Sequence, residues 1–344
     1  MEKAKQKRNI KIYVWLAAAL LCGVLVTAYM YINRGVAVEI ARDMTVGEEV
    51  TIPSIYGNLR GSLLTSGQEQ SPAVIMAMGS RTSTYRKDWS EDYNGFWKPL
   101  AEMLQDNGYT VLLLEKRGVN GSAGHWEHQS FEDRAQDVHD AMQYLKTREN
   151  VDENRIGIIG HSQGGWIAQL ASVLYPDDVA FIVNLAGPST TVIEQILDDY
   201  EGEYITAGLS PSEIERKLKK HKTLLEIVYA VSPVLKLGNI SHIIRYDAEY
   251  VSRNITVPVF AVYAENDDLV PPEKNIQLLR QGLEAAGNTN YQIHTIPGAN
   301  HVFKPAAFGT PREALQDVET SPEFLHVMQQ FIEWEQKLHG SYAK

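Results

Sequence analysis

Arg155-Ile156-Gly157-Ile158-Ile159-Gly160-His161-Ser162-Gln163-Gly164-Gly165 decides the fold of this chain. Residues 155–159 are a short, mostly apolar, β-branched run, the composition of a strand buried on both faces. Gly160-x-Ser162-x-Gly164 follows at once, and residues 166–174 continue as an apolar helix. A serine on so tight a strand-to-helix turn has strained backbone geometry, and small residues two before and two after it let strand and helix approach. Its hydroxyl stands clear of the main chain, and the amide of Gln163 points to where an oxyanion would form. The bare pattern is common, but its placement between a buried strand and a helix is not. Ser162 is the candidate nucleophile.

Outward from this turn the chain alternates. Residues 49–53 and 59–64 read as an edge hairpin joined through Tyr56-Gly57-Asn58. Residues 73–78, 109–114, 180–186, 257–262 and 291–296 read as further strands, and 96–106 and 131–147 as helices. That rhythm gives an α/β fold with a doubly wound, mostly parallel sheet. One interruption stands out: about 70 residues separate Gly187 from Val257, where connections usually run ~4–6. Within it Ser210-Pro211-Ser212-Glu213 is a capping box with proline at the first helical position. Ile214, Leu218, Leu225 and Val228 mark an apolar face, with Lys217, Lys219, Lys220 and Lys222 as a solvated one. Residues 187–256 are therefore expected to form a helical cap over the strand ends.

Ahead of the domain, residues 12–32 carry no charge. As a helix they would extend about 31 Å at ~1.5 Å per residue, close to the ~30 Å hydrocarbon thickness of a bilayer. Tyr13, Trp15, Tyr29 and Tyr31 lie near the two ends, where amphipathic rings settle at the interface. Lys3, Lys5, Lys7, Arg8 and Lys11 precede the segment and only Arg34 follows closely. The positive-inside bias then keeps residues 1–11 in the cytoplasm and places residues 49–340 outside, after a linker at 33–48. A cleaved signal peptide competes with this membrane anchor. Its apolar core would be shorter, ~7–15 residues, and Gly35-Val36-Ala37 is a poor cleavage site. Leu20 and Leu21 likewise disfavour lipid modification at Cys22. As Cys22 is the only cysteine, the outer domain has no intrachain disulfide, cysteine nucleophile or thiolate metal site. The net charge of -11 argues against a nucleic-acid partner. The 44% hydrophobic and 22% charged content suits one large globular domain.

A serine hydroxyl needs a positioned base, itself oriented by a third group. Of ten histidines, His301 in Pro297-Gly298-Ala299-Asn300-His301 follows the last apolar strand directly and is the candidate base. His294 lies inside that strand, and His161 should point away from the nucleophile it flanks. His125-Trp126-Glu127-His128 lacks an obvious third ligand, so no metal site is expected there. The acid belongs in Glu265-Asn266-Asp267-Asp268, after the strand that begins at Val257. Glu265 still makes the exit turn, and Leu269-Val270-Pro271 should direct Asp268 outward, which leaves Asp267 at the crest. Ser162, Asp267 and His301 each follow a different strand, in the chain order of α/β-hydrolases.

From about residue 49 to 338 the chain resembles the α/β-hydrolase superfamily, near its serine aminopeptidase-like and dienelactone-hydrolase-like branch. The resemblance rests on Gly160-His161-Ser162-Gln163-Gly164-Gly165, on Arg117-Gly118-x-x-Gly121-Ser122, on Pro258, on Asp267 with Val270-Pro271, and on Gly298-x-x-His301. It implies an eight-stranded sheet, an inserted cap and hydrolysis through an acyl-enzyme. Many relatives carry His-Gly after the third strand, whereas this chain reads Ala77-Met78-Gly79-Ser80-Arg81. The backbone amide of Ser80 can still complete an oxyanion hole with that of Gln163. Arg81 reads either as a contact for a substrate carboxylate or as a solvated loop charge. The expected protein is a membrane-anchored serine hydrolase of a small ester or acyl substrate, needing no cofactor. A peptidase or an acyltransferase would use the same residues, and cap carboxylates near the pocket (Asp198, Asp199, Glu201 or Glu203) would favour a peptidase. A non-catalytic interaction protein on this fold is the remaining alternative.

Overall fold

The polypeptide opens its sheet with an antiparallel hairpin, β1 (Glu48–Ile52) and β2 (Leu59–Leu64), where the turn residues Tyr56-Gly57-Asn58 lie. β3 (Ser71–Ala77), β4 (Thr110–Leu114), β5 (Val151–His161), β6 (Ile182–Leu185), β7 (Val259–Ala264) and β8 (Tyr291–Ile296) follow. The eight strands lie in the order β1-β2-β4-β3-β5-β6-β7-β8. β2 pairs antiparallel with β4, and every pairing from β4 through β3 to β8 is parallel. β3, β4 and β7 are buried along their whole length, which is why each appears in the sequence as a continuous apolar run. The computed structural model describes residues 23, 37–90, 94–236, 238–307 and 318–340.

Helices cover both faces. On one side α1 (Trp97–Asp106) and α9 (Pro322–Gly340) bury Leu100, Leu104, Phe324 and Phe331 against the sheet. On the other, α2 (Phe131–Lys146), α3 (Gln163–Leu174) and α8 (Pro272–Ala285) contribute Phe131, Met142, Ile167 and Leu279. α2 starts on a capping box in which Ser130 and Asp133 exchange hydrogen bonds.

Between β6 and β7 the described residues form four helices: α4 (Val192–Thr206), α5 (Pro211–Val231), α6 (Ile240–Ile243) and α7 (Ala248–Ser252). Glu213 accepts from both the amide and the hydroxyl of Ser210, as the box at the start of α5 requires. Ile214 and Leu225 are buried, whereas Lys217, Lys219, Lys220 and Lys222 are exposed. The expected membrane span at residues 12–32 lies outside the described residues except for Gly23. Among the described residues no helix is long and apolar enough to cross a membrane.

Candidate active site

β5 ends at His161 and α3 begins at Gln163, leaving Ser162 alone in the turn with φ 55° and ψ −125°. A non-glycine residue held there costs on the order of 1–3 kcal/mol, so the surroundings must enforce it. They do so from two sides. The Ser162 amide donates to the carbonyl of Leu185 at 2.9 Å, at the end of β6, and its carbonyl accepts from Gly165 at 2.8 Å. Glycine is required on either side by close approach: a Cβ on Gly160 would meet the Gly164 oxygen at 2.1 Å, and one on Gly164 the Ala77 oxygen at 2.0 Å. Gln163 stands in the first turn of α3, where an amide has no acceptor within the helix.

The loops after β7 and β8 are joined to each other. Glu265 donates its amide to Ile296 at 3.0 Å, Asn266 to Ala299 at 2.8 Å, and the Glu265 carboxylate accepts from the Gly298 amide at 2.7 Å. Asp267 is 4% exposed and fully engaged. Its Oδ1 accepts from the amides of Leu269 and Val270 at 3.0 and 2.9 Å, and its Oδ2 lies 2.7 Å from His301 Nδ1. A carboxylate acceptor fixes the proton of a neutral imidazole on Nδ1 and leaves Nε2 with a free lone pair. Burial by itself lowers the pKa of His301, but the carboxylates of Asp267, then Asp199 and Asp268, outweigh it and hold it above its ordinary value.

Ser162, Gln163, Ser80 and His301 line one cavity of about 590 Å³. Asp267 stands behind His301, away from the cavity wall. Of the helices between β6 and β7, α4 and α6 supply another wall through Val192, Ile196, Asp199, Ile240 and Ile243. Sequence reasoning thus named residues that the fold brings together, with one correction. Asp268 is not directed into solvent: it is half-buried and packs on α4, where a Cβ on Gly202 would come within 3.3 Å of its Cβ. His294 stacks on Phe260 with ring centroids 4.8 Å apart. Arg81 is exposed and also lines the cavity. The Arg117-Gly118 loop serves the scaffold: Arg117 pairs with the buried Asp137 and lies over the Tyr56 ring.

Three further side chains contribute, of which only Asp199 was named from the sequence as a candidate. His161 donates from Nε2 to the carbonyl of His301 and lines the cavity. Asp199 lines it too, with its carboxyl pushed up to about 6 by burial against a hydrogen bond from Gln195. Asp88 does likewise: burial pushes it up to about 7 while it accepts from the Trp97 amide at 2.8 Å. His161 adjoins Ser162 in the chain and Asp88 reaches the site through tertiary packing, while Asp199 carried a local signal as one acid among several in α4.

The sheet order, the strained serine turn and the Asp267–His301 pair define an α/β-hydrolase. Residues 97–329 match the prolyl oligopeptidase family, and the chain belongs to that family. Its fold is that of the α/β-hydrolases. Dipeptidyl-peptidase 5 of Porphyromonas endodontalis is 30% identical over 105 residues, which cover 28% of this chain and 14% of that one. The polyketide transferase grgF of Penicillium is 28% identical over 129 residues, 37% of this chain and 40% of that relative. The chain therefore spans well under two thirds of the length of these curated relatives. Among solved structures, the Pyrococcus furiosus esterase PF2001 superposes with a TM-score of 0.55 at 18% identity, covering 87% of this chain and 93% of the esterase. At that identity the likeness concerns the fold.

Proposed function

We propose that this chain hydrolyses a carboxylic ester through an acyl-enzyme on Ser162. The observation that carries the reading is the 2.7 Å contact of Asp267 Oδ2 with His301 Nδ1, in a site whose cavity holds Ser162 on its strained turn. His301 Nε2 takes the proton of Ser162 Oγ as the oxygen attacks the ester carbonyl, and Asp267 stabilises the imidazolium that forms. The amides of Gln163 and Ser80 receive the oxyanion. Collapse of the tetrahedral intermediate breaks the C–O bond to the alcohol, which leaves with the proton from His301. Water then attacks the acyl-serine with His301 again as base, releasing the acid and restoring Ser162. Trp126, Trp166, Ile240 and Ile243 give the cavity an apolar side suited to an acyl or aryl group. The uncharged residues 12–32 and the cations before them support a catalytic domain anchored to the outer face of the cell membrane.

A second reading, removal of an N-terminal residue from a peptide, is favoured by Asp199. Of the five acids in α4, Glu194 caps the helix with Thr191, Asp198 pairs with Lys274, Glu201 and Glu203 are exposed, and Asp199 lines the cavity, where it could take an ammonium group. Turnover by the full-length protein in detergent of p-nitrophenyl esters, aminoacyl anilides and dipeptidyl anilides separates the two. We expect kcat/KM for the best ester to exceed that for any anilide by at least about 10². Faster turnover of an aminoacyl anilide, lost in Asp199→Asn, would transfer the assignment to the peptidase.

A further inference from the structure

Two buried cations hold the loop that follows β3. Lys116 Nζ donates to the carbonyl of Gly79 at 2.9 Å, to the carbonyl of Arg81, and to Ser83 Oγ at 3.1 Å. Arg134 donates through Nη2 to the carbonyl of Met78 and through Nη1 to Gln163 Oε1, both at 2.6 Å. Lys116 is 7% exposed and Arg134 8%. The charged residues on either side of Lys116 make carboxylate–guanidinium pairs, Glu115 with Arg86 and Arg117 with Asp137. Lys116 and Arg134 instead direct their donors at main-chain carbonyls, one hydroxyl and one amide side chain. Burying a cation without a carboxylate is costly, and an apolar side chain would fill the same volume more stably. Burial holds the Lys116 amine well below its ordinary pKa and pushes Arg134 down to about 10. Such a cost points to a task beyond packing.

The geometry of a peptide unit identifies the task. Its C=O and N–H lie in one plane and, in the trans form, point in opposite directions. The Gly79 carbonyl turned toward Lys116 therefore turns the Ser80 N–H the other way, and Ser80 lines the cavity beside Ser162. Gly79 lacks the Cβ that would hinder rotation of this unit. If the unit flipped, a carbonyl oxygen would face the developing oxyanion in place of the donor.

We propose that Lys116 is the positioning residue of the oxyanion hole: by holding the carbonyls of Gly79 and Arg81 it fixes the Ser80 amide toward Ser162. Arg134 fixes the preceding peptide unit and ties it to the side chain of Gln163, so the two halves of the hole share one support. This proposal rests on the Ser80 amide being an oxyanion donor, as the proposed mechanism has it.

The test compares Lys116→Met, which keeps the apolar stem, with Ser80→Pro, which deletes the amide donor itself. One p-nitrophenyl ester and one trifluoromethyl ketone, whose tetrahedral adduct places an oxyanion in the hole, serve as probes. We expect Lys116→Met to lower kcat about 10²-fold, the scale of a lost oxyanion donor, with KM within about threefold. Affinity for the ketone should fall in parallel, which general loosening of the fold would not produce. Ser83→Ala, which leaves both carbonyl contacts intact, should stay within about threefold in kcat. Should Lys116→Met not fold, Lys116→Gln carries the same expectation at about tenfold. The inference on Lys116 is overturned if its folded variant keeps parental kcat, or loses kcat without losing ketone affinity, while Ser80→Pro shows both losses. Parental kcat in Ser80→Pro overturns the oxyanion assignment of Ser80 and the proposal with it, an outcome told apart from the first by that variant alone.

Discussion

His161 donates from Nε2 to the main-chain carbonyl of His301 at 2.8 Å, so the residue before the candidate nucleophile grips the candidate base. Alternation along β5 sends the His161 side chain away from Ser162 and toward the histidine loop. There it packs between Phe96 and Phe303, with ring centroids 4.8 and 6.1 Å away. Burial, and then the nearby charge of His301, push its pKa down to about 3. It therefore stays neutral at any working pH and keeps its Nε2 proton for the carbonyl. His161→Phe retains the packing and loses the bond. We expect it to unfold in urea about 1 kcal/mol more easily, the usual net contribution of a hydrogen bond. Turnover should fall roughly tenfold as His301 loosens, which corresponds to ~1.4 kcal/mol. Parental values in both measurements would show the bond to be dispensable.

The acidic turn after β7 holds three carboxylates, and the structure gives them separate tasks. Asp267 meets His301, Glu265 accepts from the Gly298 amide, and Asp268 packs on α4. Asp267→Asn keeps the shape but offers the wrong partner to Nδ1–H; in the serine-protease triad that change costs about 10⁴ in turnover. Asp268→Asn and Glu265→Gln should stay within roughly tenfold. Turnover of one activated ester by the three variants decides this, and a large loss in Asp268→Asn with little in Asp267→Asn would show the acid misassigned by one residue.

The pH dependence has a definite sign. His301 must be neutral to accept a proton, and Asp267, Asp199 and Asp268 hold its pKa above the ordinary ~6.5 against the effect of burial. The limb of kcat/KM should therefore rise through a pH above that ordinary value. Asp199→Asn removes one of the three charges and should shift the limb toward lower pH, measured with an ester stable from about pH 5 to 9. A shift upward, or none, would show that Asp199 does not act on His301. The same elevation stabilises the fold while His301 is protonated: fully below the unfolded pKa, and lost as pH rises through the folded one.

Gly164 is bound to its identity by space rather than by backbone angle. A Cβ there would lie 2.0 Å from the Ala77 oxygen, so Gly164→Ala must push α3 away from the end of β3. We expect a loss of about 1–3 kcal/mol, typical of overpacking, together with lowered turnover because the 78–80 loop moves with Ala77. Gly298 makes the contrast: its Cβ would meet nothing within 4 Å, but its φ is +60°. Gly298→Ala should cost only about 1 kcal/mol, from the backbone alone. Chemical denaturation of both variants checks the order.

The strands of the central sheet were legible because burial on two faces leaves an uninterrupted apolar run, as in Val74-Ile75-Met76 and Val111-Leu112-Leu113. β5 is longer than its apolar part. After the buried Val151 come the polar residues Asp152, Glu153 and Asn154, and pairing with β3 is interrupted by a register shift between Ser71 and Ala73. Ser162, Asp267 and His301 could be read from position because each lies just past a strand, and chain order did the rest. The supports of the site could not. Lys116 sits in Glu115-Lys116-Arg117, which reads as a charged loop, and Arg134 in a helix full of charges. Their burial follows from which loop the fold lays over them, and no local pattern records that. Asp268 escaped its expected exposure for the same reason, since the surface covering it belongs to α4.

The claim most open to direct test is that Ser162 is the nucleophile. Full-length protein treated with a fluorophosphonate should gain one adduct, and peptide mapping by mass spectrometry should place it on the peptide containing Gly160-His161-Ser162-Gln163-Gly164. Ser162→Ala should remain folded, take no label and lose nearly all ester turnover. An adduct of undiminished amount in that variant, or one mapped to another serine in the parent, would contradict the mechanism.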